Sequence, residues 1–340
     1  MDRLSPPVRH GRRRSERGGF RMLAWTTTPG SRGGLTLREV PEPVPLPHEV
    51  LVQVEAFAPN PGDLAALAEA PAGTIPGWDG SGVVLESAAD GRGPRAGERV
   101  VFLGLAARGW AQRRAVPSAM CAAAPADAPW ERLATLPVPA TSALRAVRRF
   151  GSVLGRRLLI VGAASAVGRF AVQLAARSGA RVVAVARDER RHADLRRLGA
   201  YETHTALAAV SSRVHGAIDL IGGQHLVDAY ALLEPGATVI ALGHAAGADE
   251  HFPYGAFVAD PATSDRSITS FFLGSEPDLA DEMAYLAADP SLDTGDIDAR
   301  PWTELATWID AGAERRSGRV VFRVANRTDP GQQKAGPTKT

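Results

Sequence analysis

A turn of small residues between an apolar run and an amphipathic segment is the part of the sequence best suited to bind a phosphate group. The apolar run LLIVG, residues 158–162, leads into AASAVG at 163–168, and helical periodicity covers residues 167–177. Small residues let the backbone approach a pyrophosphate closely, and the free N–H groups of a helix N-terminus attract the anion. The pattern therefore predicts a dinucleotide site. Its predicted binding residues are Gly162, Ser165, Ala166, Val167 and Gly168.

Two substitutions weaken this motif. Against the pattern G-x-G-x-x-G, only Gly168 keeps its glycine, because Ala163 and Ser165 occupy the other two glycine positions. Their side chains would crowd the loop, although the Ser165 hydroxyl can itself bond a phosphate oxygen. A tight strand-to-helix turn that binds no ligand stays open as the alternative.

The residues after the next apolar run, 182–186, indicate which dinucleotide is bound. An acidic residue at this place binds the ribose 2′-hydroxyl of NAD, whereas an arginine pairs with the 2′-phosphate of NADP. The sequence continues with Arg187 and Asp188. We predict NADPH as the cofactor, with Arg187 at the 2′-phosphate. Arg190 and Arg191 keep a second interpretation open, in which these arginines are only the solvated face of the next helix.

Two kinds of segment must position these residues. Alternating segments punctuated by Pro and Gly predict a small all-β unit from about residue 35 to 104. Apolar runs that alternate with helical stretches from residue 133 onward predict βαβ units and a parallel sheet. The runs are 158–162, 182–186, 217–223, 237–243 and 268–274; the helices are 141–149, 167–177, 188–198, 224–233, 279–288 and 302–311. A last strand at 319–324 is expected to return to the first unit.

Composition excludes several other classes of protein. The chain has 340 residues, of which 45% are hydrophobic and 22% charged, so whole-chain disorder is excluded. The single cysteine, Cys121, can form neither an internal disulfide nor a CxxC pair, which favours a cytoplasmic protein. The longest apolar stretch is interrupted by Arg169 and Arg177, so no membrane helix is expected. Residues 1–21 carry seven arginines against two acids, and we interpret them as a disordered basic tail in preference to a nucleic-acid-binding arm.

The order of these motifs resembles the medium-chain dehydrogenase/reductase superfamily, in its zinc-independent quinone oxidoreductase and enoyl reductase branch. The resemblance runs over residues 22–324 and is carried by REVPEPVPLPHEVLVQVEAFAPNPGDL, IPGWDGSGVV, AGERVVFLG, LPVPATSALRAV, the turn described above, IDLIGG, EPGATVIALG and SGRVVFRV. It implies an α/β fold with a GroES-like β-rich catalytic domain, a Rossmann domain with a doubly wound parallel sheet, and a substrate cleft between them. The predicted boundaries are 1–21 for the basic tail, 22–135 and 275–324 for the catalytic domain, 136–274 for the Rossmann NADP-binding domain, and 325–340 for a disordered tail.

The resemblance also implies chemistry without a metal. Zinc alcohol dehydrogenases of this superfamily carry a cysteine at the position of Asn60 and a His-Glu pair at Trp78 and Asp79. An amide and an indole are not zinc ligands, so no metal is expected. The implied reaction is direct hydride transfer from NADPH to a conjugated carbonyl (enone or enoyl) or a quinone. A tyrosine that several relatives carry five residues after the asparagine is Ala65 here, so the proton donor is not identified.

Family position places seven further residues near the nicotinamide. The predicted catalytic residues are Asn60, Trp78 and Thr141, and the additional cofactor-binding residues are Gly243, His244, Phe271 and Leu273. Each catalytic residue has a structural alternative: a turn for Asn60, core packing for Trp78, a helix cap for Thr141.

The functional prediction is an NADPH-dependent reductase with a small-molecule substrate and with no nucleic-acid or membrane partner. The alternative is a non-redox biosynthetic enzyme or a binding protein that retains the reductase fold. The resemblance also suggests a homodimer that pairs the two Rossmann sheets edge to edge through residues 268–274.

Overall fold

The computed structural model describes residues 20–104, 106, 108–258, 260–275, 277–312 and 318–325. Nearly all residues of the two predicted tails, 1–21 and 325–340, lie outside these ranges. In the described part of the chain the strands form a two-stranded, a seven-stranded and a six-stranded sheet. No helix within these ranges is both long and apolar enough to cross a membrane.

The first domain is built on the antiparallel strands of the seven-stranded sheet. Its elements are β1 (Arg21–Thr27), β2 (Leu35–Pro41), β3 (Glu49–Phe57), α1 (Pro61–Leu67), β4 (Asp79–Glu86), β5 (Arg99–Leu103), β6 (Arg113–Pro117), β7 (Cys121–Ala123) and α2 (Trp130–Ala134). Strands β3 and β4 alternate buried and more exposed side chains over part of their length, as expected for strands that cover a core on one face. Helix α1 fills the connection between them.

The second domain has six parallel strands. Its elements are α3 (Pro137–Arg148), β8 (Arg157–Val161), α4 (Ala166–Arg177), β9 (Arg181–Val185), α5 (His192–Arg197), β10 (Ala200–His204), β11 (Val214–Asp219), α6 (Gln224–Ala231), β12 (Leu233–Ala241), β13 (Ser267–Ser270) and α7 (Leu279–Ala288). The strand order is β10-β9-β8-β11-β12-β13. This is the doubly wound order, which reverses between β8 and β11. The predicted fold class, an α/β fold with a parallel sheet, is confirmed.

The chain then returns to the first domain. It forms β14 (Ile297–Pro301), α8 (Leu305–Asp310) and β15 (Arg319–Arg323). Strand β15 pairs antiparallel with β3, where Phe322 lies opposite Phe57, and β14 extends the sheet beyond β15. The aromatic rings of Phe57 and Phe322 pack with their centroids 5.7 Å apart.

One hydrophobic cluster spans both domains. It joins Val101 and Leu103 of β5 to Leu144 of α3 and Leu158 of β8, and all four side chains are buried. Because the two domains share this core, the residues that face each other across it are held by common packing. The indole of Trp78 packs against the same cluster from the first domain.

Strand β10 does not appear among the strands predicted from the sequence. It lies at the edge of the six-stranded sheet and pairs only with β9 in the described part of the chain. Its sequence, AYETH, contains no apolar run, because an edge strand of this kind is only half covered. The run-based prediction therefore identified five of the six strands.

The prediction of a strand over residues 268–274 is wrong in its second half. Strand β13 ends at Ser270, and Leu273–Ser275 form a turn of 3-10 helix. Within the described residues β13 pairs only with β12, whose last residue, Ala241, lies opposite Ser270. Beyond this point no described strand remains for the apolar residues to pair with, so they leave the sheet.

The helix predicted over residues 188–198 is also corrected. Glu189–Arg191 form a turn of 3-10 helix, and α5 begins only at His192. The carboxylate of Asp188 accepts a hydrogen bond from the Arg190 N–H and so holds this tighter first turn.

Candidate active site and cofactor groove

The turn between β8 and α4 shows why one glycine of the motif is indispensable. A Cβ atom added to Gly168 would lie 2.4 Å from the carbonyl oxygen of Gly162 and 2.7 Å from the Cα atom of Ala163. The strand and the helix approach each other too closely here for any side chain. Gly162, with a φ of +80°, adopts a conformation that favours glycine.

Ala163 and Ser165, which replace the other two glycines of the motif, adopt backbone conformations that do not require glycine. Neither Ala163 nor Ser165 has a positive φ. Ser165 is the N-cap residue of α4, and its Oγ accepts a hydrogen bond from the Gly168 N–H at 3.1 Å. Its own hydroxyl proton stays available for an anion, and Ala166 and Val167 form the first turn of the helix beneath it. This arrangement caps the helix and leaves its N-terminal end open to a phosphate group.

The end of β9 offers an arginine with no partner. Arg187 is exposed and makes no hydrogen bond or ion pair with any residue that the structure describes. The neighbouring Asp188 is occupied, since Arg190 donates to its two carboxylate oxygens at 2.9 and 3.0 Å. These hydrogen bonds from Arg190 lower the pKa of Asp188. The carboxylate of Asp188 therefore already forms an ion pair with Arg190, while Arg187 is free to pair with a phosphate.

The remaining predicted cofactor residues follow the carboxyl ends of neighbouring strands. Gly243 and His244 come after β12, and Phe271 and Leu273 come after β13. A Cβ atom on Gly243 would lie 2.6 Å from the carbonyl oxygen of Leu220, so this position also needs glycine. In a parallel sheet the carboxyl ends meet at one edge, and the structure brings all of these residues to that edge together with the β8–α4 turn.

The loop after β11 is fixed by an acid that the sequence analysis did not place in the cofactor groove. Asp219 is fully buried and accepts hydrogen bonds from the N–H groups of Ile221 and Gly222, at 3.2 and 2.8 Å. Burial raises its pKa, and these two bonds oppose the rise. Asp219 thus shapes the loop beside Gly243. His244, which is exposed, has its Nδ1 atom 3.6 Å from Glu250 Oε1.

Asn60, at the start of α1, is the centre of a buried polar cluster. Its Nδ2 group donates to Asp63 Oδ2 at 3.0 Å and to Asp79 Oδ1 at 2.9 Å. Its Oδ1 atom accepts from Arg319 Nη2 at 2.8 Å. Both protons and the oxygen of the amide are therefore engaged, and the residue is only 4% exposed. A direct catalytic role for Asn60 stays a prediction, and its observed contacts are those of a structural hub.

The two acids of this cluster lie near two buried guanidinium groups, those of Arg319 on β15 and Arg114 on β6. Burial, together with the neighbouring Asp79, raises the pKa of Asp63 to about 7. Burial raises the pKa of Asp79 to about 6, although the positive charge of Arg319 opposes this rise. Arg319 also donates to the carbonyl oxygens of Ala58 and Pro59. One carboxylate oxygen of Asp63, Oδ1, is buried without a hydrogen-bond partner.

The same cluster argues against a metal at this position. Arg319 places a guanidinium against Asn60, and a cation bound there would face that positive charge without a thiolate or imidazole to offset it. Within the described residues, no group of three or more His, Cys, Asp or Glu side chains is arranged to hold a metal ion. The side chains present do not fit zinc.

Sequence reasoning missed Arg319 and Arg114 as members of the site. Nearly every basic residue in this chain is an arginine, and 37 of the 39 basic residues are of this type, so no pattern of charge separates the buried ones. Arg319 lies in the segment SGRVVFRV, which the family resemblance matched only as a strand. Their burial follows from contacts between segments that are far apart in the chain.

Thr141 lies inside α3 rather than at its end. The helix begins at Pro137, so the alternative role of Thr141 as a cap is excluded. Its side chain is fully buried, and its Oγ1 atom has no hydrogen-bond partner. One turn earlier, the Val138 N–H donates to Asp79 Oδ2 at 3.0 Å, so this face of α3 borders the polar cluster. A buried hydroxyl without a partner is costly, which marks Thr141 as a group that a bound ligand would satisfy.

Trp78, Phe271 and Leu273 are half-buried and pack against the hydrophobic cluster shared by the two domains. The six-membered ring of Trp78 lies over Gly62, where an added Cβ atom would be 2.4 Å from Cη2. The guanidinium of Arg149 lies 5.0 Å from the centre of the Phe271 ring. These three side chains thus contribute apolar surface to the hydrophobic cluster that the two domains share.

Two cavities lie elsewhere on the molecule. The larger, of 540 Å³, lies between loops of the first domain and α7, and the smaller, of 300 Å³, lies beside Phe20. Neither cavity is lined by a predicted site residue. The candidate site is therefore defined by its side chains and by the sheet edge.

Comparison with known proteins identifies both domains. Residues 46–126 match the model of the alcohol dehydrogenase GroES-like domain, and residues 166–288 match the model named zinc-binding dehydrogenase. The second match lies within the Rossmann domain, from the start of α4 to the end of α7, and contains neither Asn60 nor Trp78.

Curated relatives match part of the chain. It is 30% identical over 142 residues to a highly reducing polyketide synthase of Preussia isomera, covering 42% of this chain and 6% of that protein. It is 28% identical over 196 residues to a zinc-type alcohol dehydrogenase-like protein of Schizosaccharomyces pombe (55% and 57%). It is 27% identical over 177 residues to 2-methylene-furan-3-one reductase of Solanum lycopersicum (45% and 44%). The chain thus spans less than two thirds of each of these relatives.

Solved structures share the whole fold. The crystal structure of AibC has a TM-score of 0.80 at 22% identity, covering 94% of this chain and all of that one. The quinone oxidoreductase from Coxiella burnetii has a TM-score of 0.74 at 22% identity, covering 90% and 100%. The two family matches fall in order on the two observed domains, and the zinc-ligand positions hold Asn60 and Trp78. The chain belongs to the medium-chain dehydrogenase/reductase superfamily.

Proposed function

We propose that the protein is an NADPH-dependent reductase that delivers hydride to a conjugated carbonyl or a quinone without a metal. The observation that carries the proposal is the charge arrangement after β9. Arg187 has no partner among the described residues, and the carboxylate of Asp188 forms an ion pair with Arg190. This arrangement supports a preference for a 2′-phosphate over a 2′-hydroxyl at the edge of the sheet where dinucleotides bind.

The residues present fit this cofactor. The close approach at Gly168 and the open end of α4 suit a pyrophosphate, with the Ser165 hydroxyl as an added donor. The unsatisfied hydroxyl of Thr141 suits a polar group of the nicotinamide or of the acceptor. When bound, NADPH supplies the hydride, and the chain's own task is to orient the reactants and to exclude water.

The acceptor class follows from what the site lacks. Its described side chains offer no set of zinc ligands, so no zinc ion is expected there to polarise an alcohol or an isolated carbonyl. An electron-poor carbon, such as the β-carbon of an enone, accepts hydride when the developing enolate oxygen receives a hydrogen bond. Two similar proteins are named for such acceptors, the 2-methylene-furan-3-one reductase and the quinone oxidoreductase. Since Ala65 occupies the tyrosine position, we propose that the proton comes from water or from a group of the substrate.

Titration of the purified protein with NADPH and with NADH, followed by nicotinamide fluorescence, tests cofactor binding. A panel of enones, enoyl compounds and quinones then tests the oxidation of bound NADPH. We expect NADPH to bind more tightly than NADH and at least one class of acceptor to be reduced. The reductase proposal fails if NADPH binds but no acceptor oxidises it, or if neither nicotinamide binds at millimolar concentration. The alternative proposal is then a non-redox enzyme or a binding protein of the same fold.

We also propose that the protein forms a homodimer through β13. This strand is the free edge of the six-stranded sheet in the described part of the chain, and three of its four side chains are exposed. An uncovered edge presents unpaired backbone N–H and C=O groups to a second copy. Light scattering should show a dimer, and replacement of Thr269 by proline should yield a monomer. A wild-type monomer would contradict the proposal.

A further inference from the structure

Arg114 is a buried arginine that contacts backbone carbonyl groups rather than a carboxylate. It lies on β6 and is 3% exposed. Its Nη1 group donates to the carbonyl oxygen of Trp78 at 2.8 Å, and its Nη2 group donates to that of Gly104, also at 2.8 Å. One planar guanidinium thus bridges two loops, one before β4 and one after β5.

The guanidinium of Arg114 packs directly against two glycines, where a larger residue would collide with it. A Cβ atom on Gly104 would lie 1.9 Å from Arg114 Nη2, and one on Gly109 would lie 3.0 Å from Nη1. Burial lowers the pKa of Arg114 to about 10, and the negative charges of Asp79 and Asp63 oppose this fall. The group therefore stays charged at neutral pH, and charge-assisted hydrogen bonds are stronger than neutral ones.

The bridge acts on the residue that lines the proposed acceptor site. The Trp78 carbonyl oxygen receives the Arg114 guanidinium and also the Gly104 N–H, at 2.7 Å. The indole of Trp78 lies against Gly62 on one side and against the cluster shared by the two domains on the other. Backbone and ring are thus both constrained, and the ring has little freedom to move aside for a larger ligand.

We propose that Arg114 is a positioning residue that holds Trp78 as a fixed wall of the acceptor site and thereby limits the size of the acceptor that can be reduced. The part concerning acceptor size rests on the proposed reductase function. The part concerning the position of Trp78 does not, so the two can be tested separately.

The position of Trp78 can be followed directly by fluorine NMR. The chain contains six tryptophans, and labelling with 5-fluorotryptophan gives each a resonance. Trp78→Phe assigns the signal by its loss. In Arg114→Met we expect this signal to shift or broaden. Arg113→Met is the matched control, because Arg113 precedes Arg114 on β6 and pairs instead with Glu42, and it should leave the signal in place.

Selectivity between a small and a bulky acceptor tests the consequence. We expect Trp78→Ala to raise the ratio of kcat/KM for the bulky acceptor to that for the small one. Arg114→Met should raise the same ratio by about threefold or more, with NADPH affinity unchanged. In the Trp78→Ala background, Arg114→Met should have no further effect on the ratio, because its effect passes through the missing ring.

Three results would overturn the inference: an unchanged Trp78 resonance, an equal loss of activity for both acceptors, or the same change of ratio in the presence and absence of Trp78. If Arg114→Met does not fold, Arg114→Lys takes its place. A lysine keeps the charge but lacks the planar fork that bridges two carbonyl groups, so a smaller change in the same direction is expected. If the wild-type protein reduces no acceptor, the proposed function fails, while the NMR comparison still decides whether Arg114 positions Trp78.

Discussion

The cofactor edge of the six-stranded sheet and the buried cluster around Asn60 use arginine in opposite ways. At the sheet edge Arg187 is exposed and has no partner among the described residues, so its charge is available to a ligand. In the cluster Arg319 is buried, and its guanidinium donates to two carbonyl oxygens and to Asn60. A buried charge is tolerated only when its hydrogen bonds are made within the protein. The first arrangement leaves a charge that suits our proposal of a bound phosphate, and the second holds the buried cluster together.

Among the variants that test this comparison of the sheet edge with the buried cluster, the largest effect is expected at the turn between β8 and α4. Gly168→Val should abolish NADPH binding over an accessible concentration range and lower the melting temperature, because its Cβ atom would overlap the backbone of Gly162 and Ala163. Fluorescence titration and thermal unfolding measure the two effects. Retained NADPH binding would mean that the turn does not hold the pyrophosphate.

Removal of the buried charge of Arg319 is expected to act mainly on the stability of the fold. Arg319→Met should lower the free energy of unfolding by about 3–5 kcal/mol, because it removes one of the two buried guanidinium charges that oppose the negative charges of Asp63 and Asp79. Denaturant unfolding measures the change. Arg323→Met is the matched control on the same strand: its side chain is largely exposed and pairs with Glu131, so a change below about 1 kcal/mol is expected. Equal effects would remove the distinction between the two environments.

The pH dependence of stability is expected to come from the same cluster. The folded-state pKa of Asp63 is about 7, raised from an ordinary value of 3.8, so the folded protein holds a proton that the unfolded chain has released. The free energy of unfolding should therefore fall as the pH rises from about 4 to about 7. Asp63→Asn should flatten the upper part of this decline, leaving the part due to Asp79, whose pKa is about 6. An unchanged slope would show that Asp63 does not titrate in this range.

The smallest of these effects is expected at the sheet edge. A charge-assisted hydrogen bond contributes about 1.5–3 kcal/mol, so Arg187→Ala should weaken NADPH binding about tenfold or more and leave NADH binding nearly unchanged. Protein stability should not change, because Arg187 contacts no charged group in the described part of the chain. Arg191→Ala serves as the control for the general positive charge of this surface. Equal loss of both cofactors would make Arg187 a structural residue.

The cofactor edge could be anticipated from the sequence because its information is local. A strand, a turn and a helix follow one another within residues 157–177, and the glycine at 168 is needed by its immediate neighbours. The cluster around Asn60 could not be anticipated in the same way. Its members come from α1, β4 and β15, and the pairing of Asn60 with Arg319 spans 259 positions in the chain. Family resemblance marked Asn60 as important, but only the contacts show that its amide is fully engaged.

Local polarity also decided which strands were found. The buried strands β8 and β11 appear as apolar runs, whereas β10, at the edge, has the sequence AYETH and no such run. The apolar residues Phe271 and Phe272 continue the pattern of β13 in sequence but have no strand to pair with. Apolar runs therefore located the buried strands β8 and β11, but at β13 the run contains no buried residue and overstates the strand's length, because the strand ends where its partner β12 ends.

The return of β15 to the first sheet sets an order of events during synthesis. Strand β3 is made early, but its partner β15 follows the entire six-stranded sheet in the chain. Until Arg319 emerges, Asp63 and Asp79 lack one of their two neighbouring cations, and the edge of β3 that pairs with Phe322 has no partner. Of the two domains, the one whose strands come first in the chain is thus completed second, because β15 follows the six-stranded sheet.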